Sequence, residues 1–157
     1  MAQVKIIAPQ TREAEHLRVA AYCRVSSDSK DQLHSYAAQI HSYTEEIAQH
    51  DGWELVDVYA DEGLTGTRMD RREDFNRMMA DCRKGKIDRI LVKSVSRFAR
   101  NTKESLAAVR ELKSLNISVY FEEQNIDTAQ ATGETLTAVF SALAQKESEA
   151  ISERMRH

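Results

Sequence analysis

Apolar and polar positions along the chain fall into runs whose spacing changes repeatedly, and each change marks an element boundary. Leu17 to Arg24 (LRVAAYCR) is a dense apolar run holding Val and Tyr, short enough for a buried strand and closed by a Ser/Asp cluster. Ser29 with Gln32 has capping-box spacing, and Leu33, Tyr36, Ala37, Ile40, Ile47 and Ala48 then recur with helical period until Asp51-Gly52. Trp53 to Ala60 (WELVDVYA) alternates like a strand, and Asp61 to Met69 is loop-like. Asp70 with Glu73 again has the spacing of a cap, before a helix carrying Phe75, Met78 and Met79 up to Gly85. Ile87 to Lys93 predicts a third strand. Asn101 and Glu104 open a helix with Leu106, Val109 and Leu112 on one face, and Ile117 to Phe121 predicts a fourth strand. All five glycines, at 52, 63, 66, 85 and 133, fall at these breaks.

The resulting order βαβαβαβ predicts an α/β fold: a mainly parallel sheet of about four to five strands flanked by helices. Residues 1–16 are polar and aperiodic and form an N-terminal tail, and residues 17–132 form the α/β domain. From Gly133 to His157 nothing breaks helix, and Leu136, Val139, Phe140, Leu143, Ala144, Ile151 and Met155 lie near one stripe. At about 1.5 Å per residue this helix would span about 37 Å, more than cover for such a domain requires. It is expected to project and to find a partner, with Leu136, Phe140, Leu143 and Ile151 as dimer-interface candidates. No C-cap ends it, so a fragment of a longer protein is expected.

Composition narrows the class. A length of 157 residues with 41% hydrophobic content suits one domain with a real core. Lys and Arg number 22 against 25 Asp and Glu, net charge -3, which excludes a uniformly basic nucleic-acid coat. The charge is unevenly placed: residues 68–113 hold 14 Lys/Arg against 7 Asp/Glu. Cys23 and Cys82 form neither a Cys-x-x-Cys pair nor a zinc spacing, which disfavours a disulfide-stapled domain and fits a reducing cytoplasm. No apolar run approaches the roughly 18 residues of a membrane span, and the amino terminus lacks a signal-peptide core.

In a parallel α/β sheet ligands bind beyond the strand ends, and two loops there carry chemistry. Tyr22-Cys23-Arg24-Val25-Ser26-Ser27-Asp28 places hydroxyls just past the first strand, with an arginine two residues before Ser26. Lys93-Ser94-Val95-Ser96-Arg97-Phe98-Ala99-Arg100-Asn101 follows the third strand with three cations in eight residues. A serine is a weak nucleophile unless its proton is removed or its anion stabilised, and attack on a phosphodiester builds negative charge at phosphorus. Fixed guanidiniums meet both needs and contact phosphate oxygens bidentately. Arg71 and Arg72 add to the set, because cations in a helix's first turn oppose its dipole unless an anion sits there. The bland alternative is a solvated basic face and turn-forming serines. A rival is Mg²⁺ or phosphoacceptor chemistry at Asp61, Glu62, Glu122 and Glu123, as in a Mg-dependent nuclease or a receiver-like signalling module, although it leaves the arginines unexplained. No Walker A loop, Rossmann fingerprint, Gly-x-Ser-x-Gly elbow or His-Glu-x-x-His occurs.

From about residue 17 to the end, these motifs together resemble the catalytic domain of serine recombinases, the resolvase/invertase superfamily. Tyr22-Cys23-Arg24-Val25-Ser26-Ser27 resembles the nucleophile motif, and Val92-Lys93 through Arg97-Phe98-Ala99-Arg100-Asn101 the arginine motif. Ala144-Gln145-Lys146-Glu147 with Ile151-Ser152-Glu153-Arg154 resembles the long interface helix. The resemblance implies Ser26 as nucleophile, with Arg24, Gln39, Arg72, Arg97 and Arg100 in the catalytic set and Asp88 and Ser96 in supporting places. Ser96 stands where many small resolvases carry aspartate, so the role of that carboxylate does not carry over. It further implies site-specific cutting and rejoining of double-stranded DNA through a 5′-phosphoserine linkage, without metal, ATP or other cofactor, by a homodimer that forms a tetramer in the synaptic complex. The tail before strand one, Arg72-x-x-Phe75 and Arg97-Phe98-Ala99-Arg100-Asn101 are most similar to the large serine recombinases of phages and transposons, in which DNA-binding domains follow the long helix.

Overall fold

The computed structural model describes residues 16–26, 30–63, 72–99 and 101–156, and for positions 25, 26, 30–35, 62, 63, 147, 151 and 154–156 it describes the backbone alone. In chain order the elements are β1 (Leu17–Ser26), α1 (Lys30–Gln49), β2 (Trp53–Gly63), α2 (Glu73–Arg83), β3 (Arg89–Val92), α3 (Val95–Phe98), α4 (Thr102–Ser114), β4 (Ser118–Phe121), β5 (Ile126–Asp127) and α5 (Gly133–Arg156). The five strands form one sheet in the order β2-β1-β3-β4-β5. The first four are parallel, and β5 folds back antiparallel on β4 through Tyr120↔Asp127 and Phe121↔Ile126.

The dense apolar run of β1 is explained by its central place, because both of its faces are covered. Val19, Ala21 and Cys23 pack with Leu91 under Tyr43 and Ile47 of α1. Ala20 and Tyr22 point the other way, into a larger cluster with Phe75, Met78 and Met79 of α2, Val109 and Leu112 of α4, and Phe121 of β4. The β1–β2 register slips between Val19 and Ala20, so Leu55 and Asp57 pair with successive residues and Val56 stands outside the ladder, 36% exposed.

Two elements were too short to show a period in the sequence. The four-residue helix α3 lies within the expected arginine loop, and the two-residue β5 forms the sheet's edge. The expected Asn101–Glu104 cap is present, with the Asn101 side chain accepting the Glu104 N–H at 2.9 Å. α2 begins at Glu73, but Arg72 at its N-cap makes no side-chain cap bond. Asp61, arriving from β2, accepts the N–H groups of Asp74 at 2.9 Å and Phe75 at 3.0 Å instead. Asp70 and the Ser29 capping box lie outside the described residues.

The last helix corrects the expected interface. Leu136 and Phe140 are each 1% exposed and belong to the domain's own core, while Val139 and Leu143 pack partly against it. A chain of edge-to-face aromatic pairs reaches Phe140: Tyr22–Phe75 and Phe75–Phe98 at 5.3 Å, Phe98–Phe121 at 5.5 Å and Phe121–Phe140 at 5.9 Å between centroids. The stripe is thus satisfied within the chain over the first two to three turns. From Gln145 onward every described side chain of α5 is exposed, so the helix does leave the domain as expected. The Ile151 side chain lies outside the described residues. None of the described helices is long and apolar enough to cross a membrane.

Candidate active site

In an open parallel sheet the crevice forms where neighbouring strands send their connections to opposite faces, and in the order 2-1-3-4-5 that switch falls between β1 and β3. β1 there ends at Ser26, and β3 ends at Val92, which pairs with Tyr22. Ser26 therefore lies four residues beyond the last β1–β3 pair, roughly 13 Å along the strand, level with Gly63 of β2. Its side chain, Arg71 and Arg100 lie outside the described residues.

The described arginines reach this edge from two elements. Arg97, exposed on α3, donates from Nη1 to the carbonyl oxygen of Arg24 at 2.8 Å, which carries its guanidinium onto the end of β1. Arg72, just before α2, donates from Nη2 to the Tyr22 hydroxyl at 3.3 Å and to the carbonyl of Phe98. Its guanidinium carbon lies 3.8 Å from the Phe75 ring centroid, a cation–π contact, and its buried Nε has no partner among the described residues. Arg24 is half-buried within β1. Ser96 is exposed, and its hydroxyl lies 3.1 Å from that of Ser94. Gln39 lies half-buried on α1, about 14 Å of helix rise from Lys30.

Behind these arginines lies a residue that the sequence offered only within the rival metal or phosphoacceptor reading. Asp61 is 7% exposed, and Tyr22 donates its hydroxyl to Oδ2 at 2.7 Å. With both oxygens also accepting N–H groups of α2, this carboxylate caps the helix and orients Tyr22, which in turn receives Arg72. Burial first, and then this hydrogen bond, push the Tyr22 phenol well above its ordinary range, so it remains a neutral link. The anion inferred near Arg72 from the helix dipole is therefore at least partly the protein's own. An aspartate closing an alternating strand gave no signal of this beyond its position. The same bonds weaken the Mg²⁺ and phosphoacceptor readings of Asp61, since its lone pairs are engaged. Among the described residues no three His, Cys, Asp or Glu groups converge as metal ligands would.

Asp88 is not brought to the site. It precedes β3 at the opposite end of the strands, where it accepts the Arg18 backbone N–H at 2.8 Å and the Arg18 guanidinium at 3.0 Å from both Nε and Nη2. The Arg18 hydrogen bond holds its carboxyl below the ordinary range. Asp88 joins the starts of β1 and β3 and is a structural residue. Cys23, next to the site, is no competing nucleophile: burial pushes its thiol up to about 12, which keeps it protonated near neutrality.

Fold and site together define an α/β domain with arginines gathered at the switch point of its sheet, beside the end of a serine-bearing strand. A family model described as "Resolvase, N terminal domain" matches residues 19–157. The chain is similar to a solved resolvase family site-specific recombinase from Streptococcus pneumoniae, with 30% identity and TM-score 0.64 over 89% of this chain and 93% of that one. It is also similar to the N-terminal catalytic domain of TP901-1 integrase, with 26% identity and TM-score 0.60 over 85% of this chain and 98% of that one. A likeness to the catalytic domain of an IS607-like serine recombinase, at 21% identity and TM-score 0.55 over 68% of this chain and 70% of that one, concerns the fold alone. The chain belongs to the resolvase family and is a serine site-specific recombinase.

Proposed function

We propose that this domain cuts and rejoins double-stranded DNA with Ser26 as nucleophile. The supporting observation is the Arg97 guanidinium, held 2.8 Å from the Arg24 carbonyl and thereby brought to the strand that ends in Ser26. In the proposed step Ser26 Oγ loses its proton to solvent and bonds to phosphorus, the phosphorus–O3′ bond breaks, and the leaving oxygen takes up a proton from solvent as a 3′-hydroxyl. Arg24, Arg97 and Arg100 balance the charge that builds on the phosphoryl oxygens, while Arg72 and Gln39 complete the set. The product is a 5′-phosphoserine linkage. Religation is the same step reversed with another 3′-hydroxyl, so bond energy is conserved and neither ATP nor metal is needed.

Strand exchange requires several copies, and the exposed length of α5 beyond Leu143 is the natural contact surface for a homodimer and a synaptic tetramer. The acidic total of the chain, net -3, suits a domain that performs chemistry while other elements grip the duplex. The test is recombination of a plasmid bearing two recombination sites by full-length protein in EDTA without nucleotide. Recombinant product from the parent and none from Ser26→Ala supports the reading. Dependence on added Mg²⁺ or ATP, or undiminished product from Ser26→Ala, contradicts it.

A further inference from the structure

Arg97 is, with Ser96, an exposed residue of a one-turn helix too short to hold itself in place. Ser94, at the N-cap, makes no cap bond with its side chain, and its hydroxyl faces that of Ser96. The N–H of Val95, the first residue of α3, is instead accepted by the side-chain Oε1 of Gln124 at 3.1 Å. The carbonyl of the same residue accepts the Ser105 hydroxyl of α4 at 3.2 Å. Both backbone polar groups of Val95 are therefore held by side chains from separate elements, and its own side chain is buried in the core.

The support for Gln124 is itself fixed. The β3–β4 ladder continues past Phe121, with Glu122 N–H on Val92 O at 3.0 Å and Glu123 N–H on Lys93 O at 2.8 Å. The chain then turns through Asn125, whose φ of 55 lies in the left-handed region and whose side chain accepts the Tyr120 hydroxyl at 2.9 Å. Gln124 thus stands on a tight turn beside the arginine loop. Phe98, three residues beyond Val95, is fully buried. Arg97 lies between these anchors, and a shift of the Ser94–Val95 peptide would carry its guanidinium away from Arg24.

We propose that Gln124, with Ser105 on the opposite side of the same residue, is a positioning residue for Arg97. This rests on the proposed role of Arg97 in strand cleavage. A misplacement of about 1 Å in a charge-stabilising group is enough to cost a large factor in rate. Gln124 is expected to matter for the chemical step and little for DNA affinity, because it acts through the loop.

The test uses full-length protein as Gln124→Ala, Gln124→Glu and Ser26→Ala, with hydrogen exchange at the Val95 amide and single-turnover cleavage of a nicked duplex carrying the recombination site. Gln124→Ala should accelerate Val95 exchange and lower the cleavage rate roughly tenfold, with DNA affinity within about twofold of the parent. Gln124→Glu retains an acceptor oxygen and should restore both. Parental exchange in Gln124→Ala, or faster exchange with a parental cleavage rate, overturns the inference. Loss of cleavage that Gln124→Glu does not restore also overturns it. Undiminished cleavage by Ser26→Ala refutes the parent reading instead, and the exchange measurement stands apart from both.

Discussion

Phe140→Ala tests whether the start of α5 belongs to the domain core or to an interface between copies. The Phe140 ring is 1% exposed and meets Phe121 edge-on at 5.9 Å. Truncating a buried phenylalanine costs about 3–5 kcal/mol, of which the aromatic pair accounts for about 0.5–1.5 kcal/mol. Against a stability of about 5–15 kcal/mol that is a large share. In a domain of this size each kcal/mol moves Tm by about 2–4 °C, so a fall of roughly 6–20 °C is expected. Ser141→Ala, at the next and exposed position of the helix, should change stability by no more than about 0.5 kcal/mol. Thermal and urea unfolding followed by circular dichroism give the stabilities, and sedimentation at several concentrations gives the association state. Unchanged Tm in Phe140→Ala, together with weakened self-association, would refute the core assignment and restore Phe140 to the interface.

Glu122 lies half-buried beside Glu46, and desolvation together with that neighbour's charge and hydrogen bond push its carboxyl up to about 7. The folded state then holds a proton that the unfolded chain gives up near 4.5, so stability is greatest below that point and falls as pH rises through 7. With solvent screening the loss is about 1 kcal/mol. Glu122→Gln should raise the urea midpoint at pH 8 but not at pH 4. Asp61→Asn removes one of the oxygens that cap α2 and hold Tyr22, and should cost about 1–3 kcal/mol in urea unfolding. Equal stability would show that the cap bonds carry no weight. Asp88→Asn, at the far end of the strands, should lower stability at pH 7 while leaving the cleavage rate of folded protein unchanged; a lost cleavage rate would return Asp88 to the site.

The fold was legible where the hydrophobic period was long. β1 and the four longer helices come directly from their spacing, whereas one-turn α3 and two-residue β5 contain no full period. The stripe on α5 was read as a surface awaiting a partner, but a stripe does not say which surface covers it, and Phe121 of the same chain covers its beginning. Charge misled in a similar way. The basic segment stood out by its excess of Lys and Arg, yet Arg77 pairs with Asp57 and Asp74, Arg83 with Glu111 and Arg89 with Asp127. Apart from Asp74, three residues from Arg77 on the same helix, these partners are distant in sequence, so their pairing is invisible until the fold joins them. Arg97 was singled out because its loop follows a strand end and holds three cations in eight residues. Asp61, Ser105 and Gln124 were not, since each acts through a backbone or hydroxyl group that no sequence motif records.

The central claim is that Ser26 becomes covalently joined to DNA. Its most direct test is mass spectrometry of peptides from full-length protein quenched during cleavage of a nicked duplex in EDTA. The expected result is a nucleotide linked through its 5′-phosphate to Ser26, absent in Ser26→Ala. A linkage mapped to any other residue, or cleavage without a covalent adduct, would contradict the account.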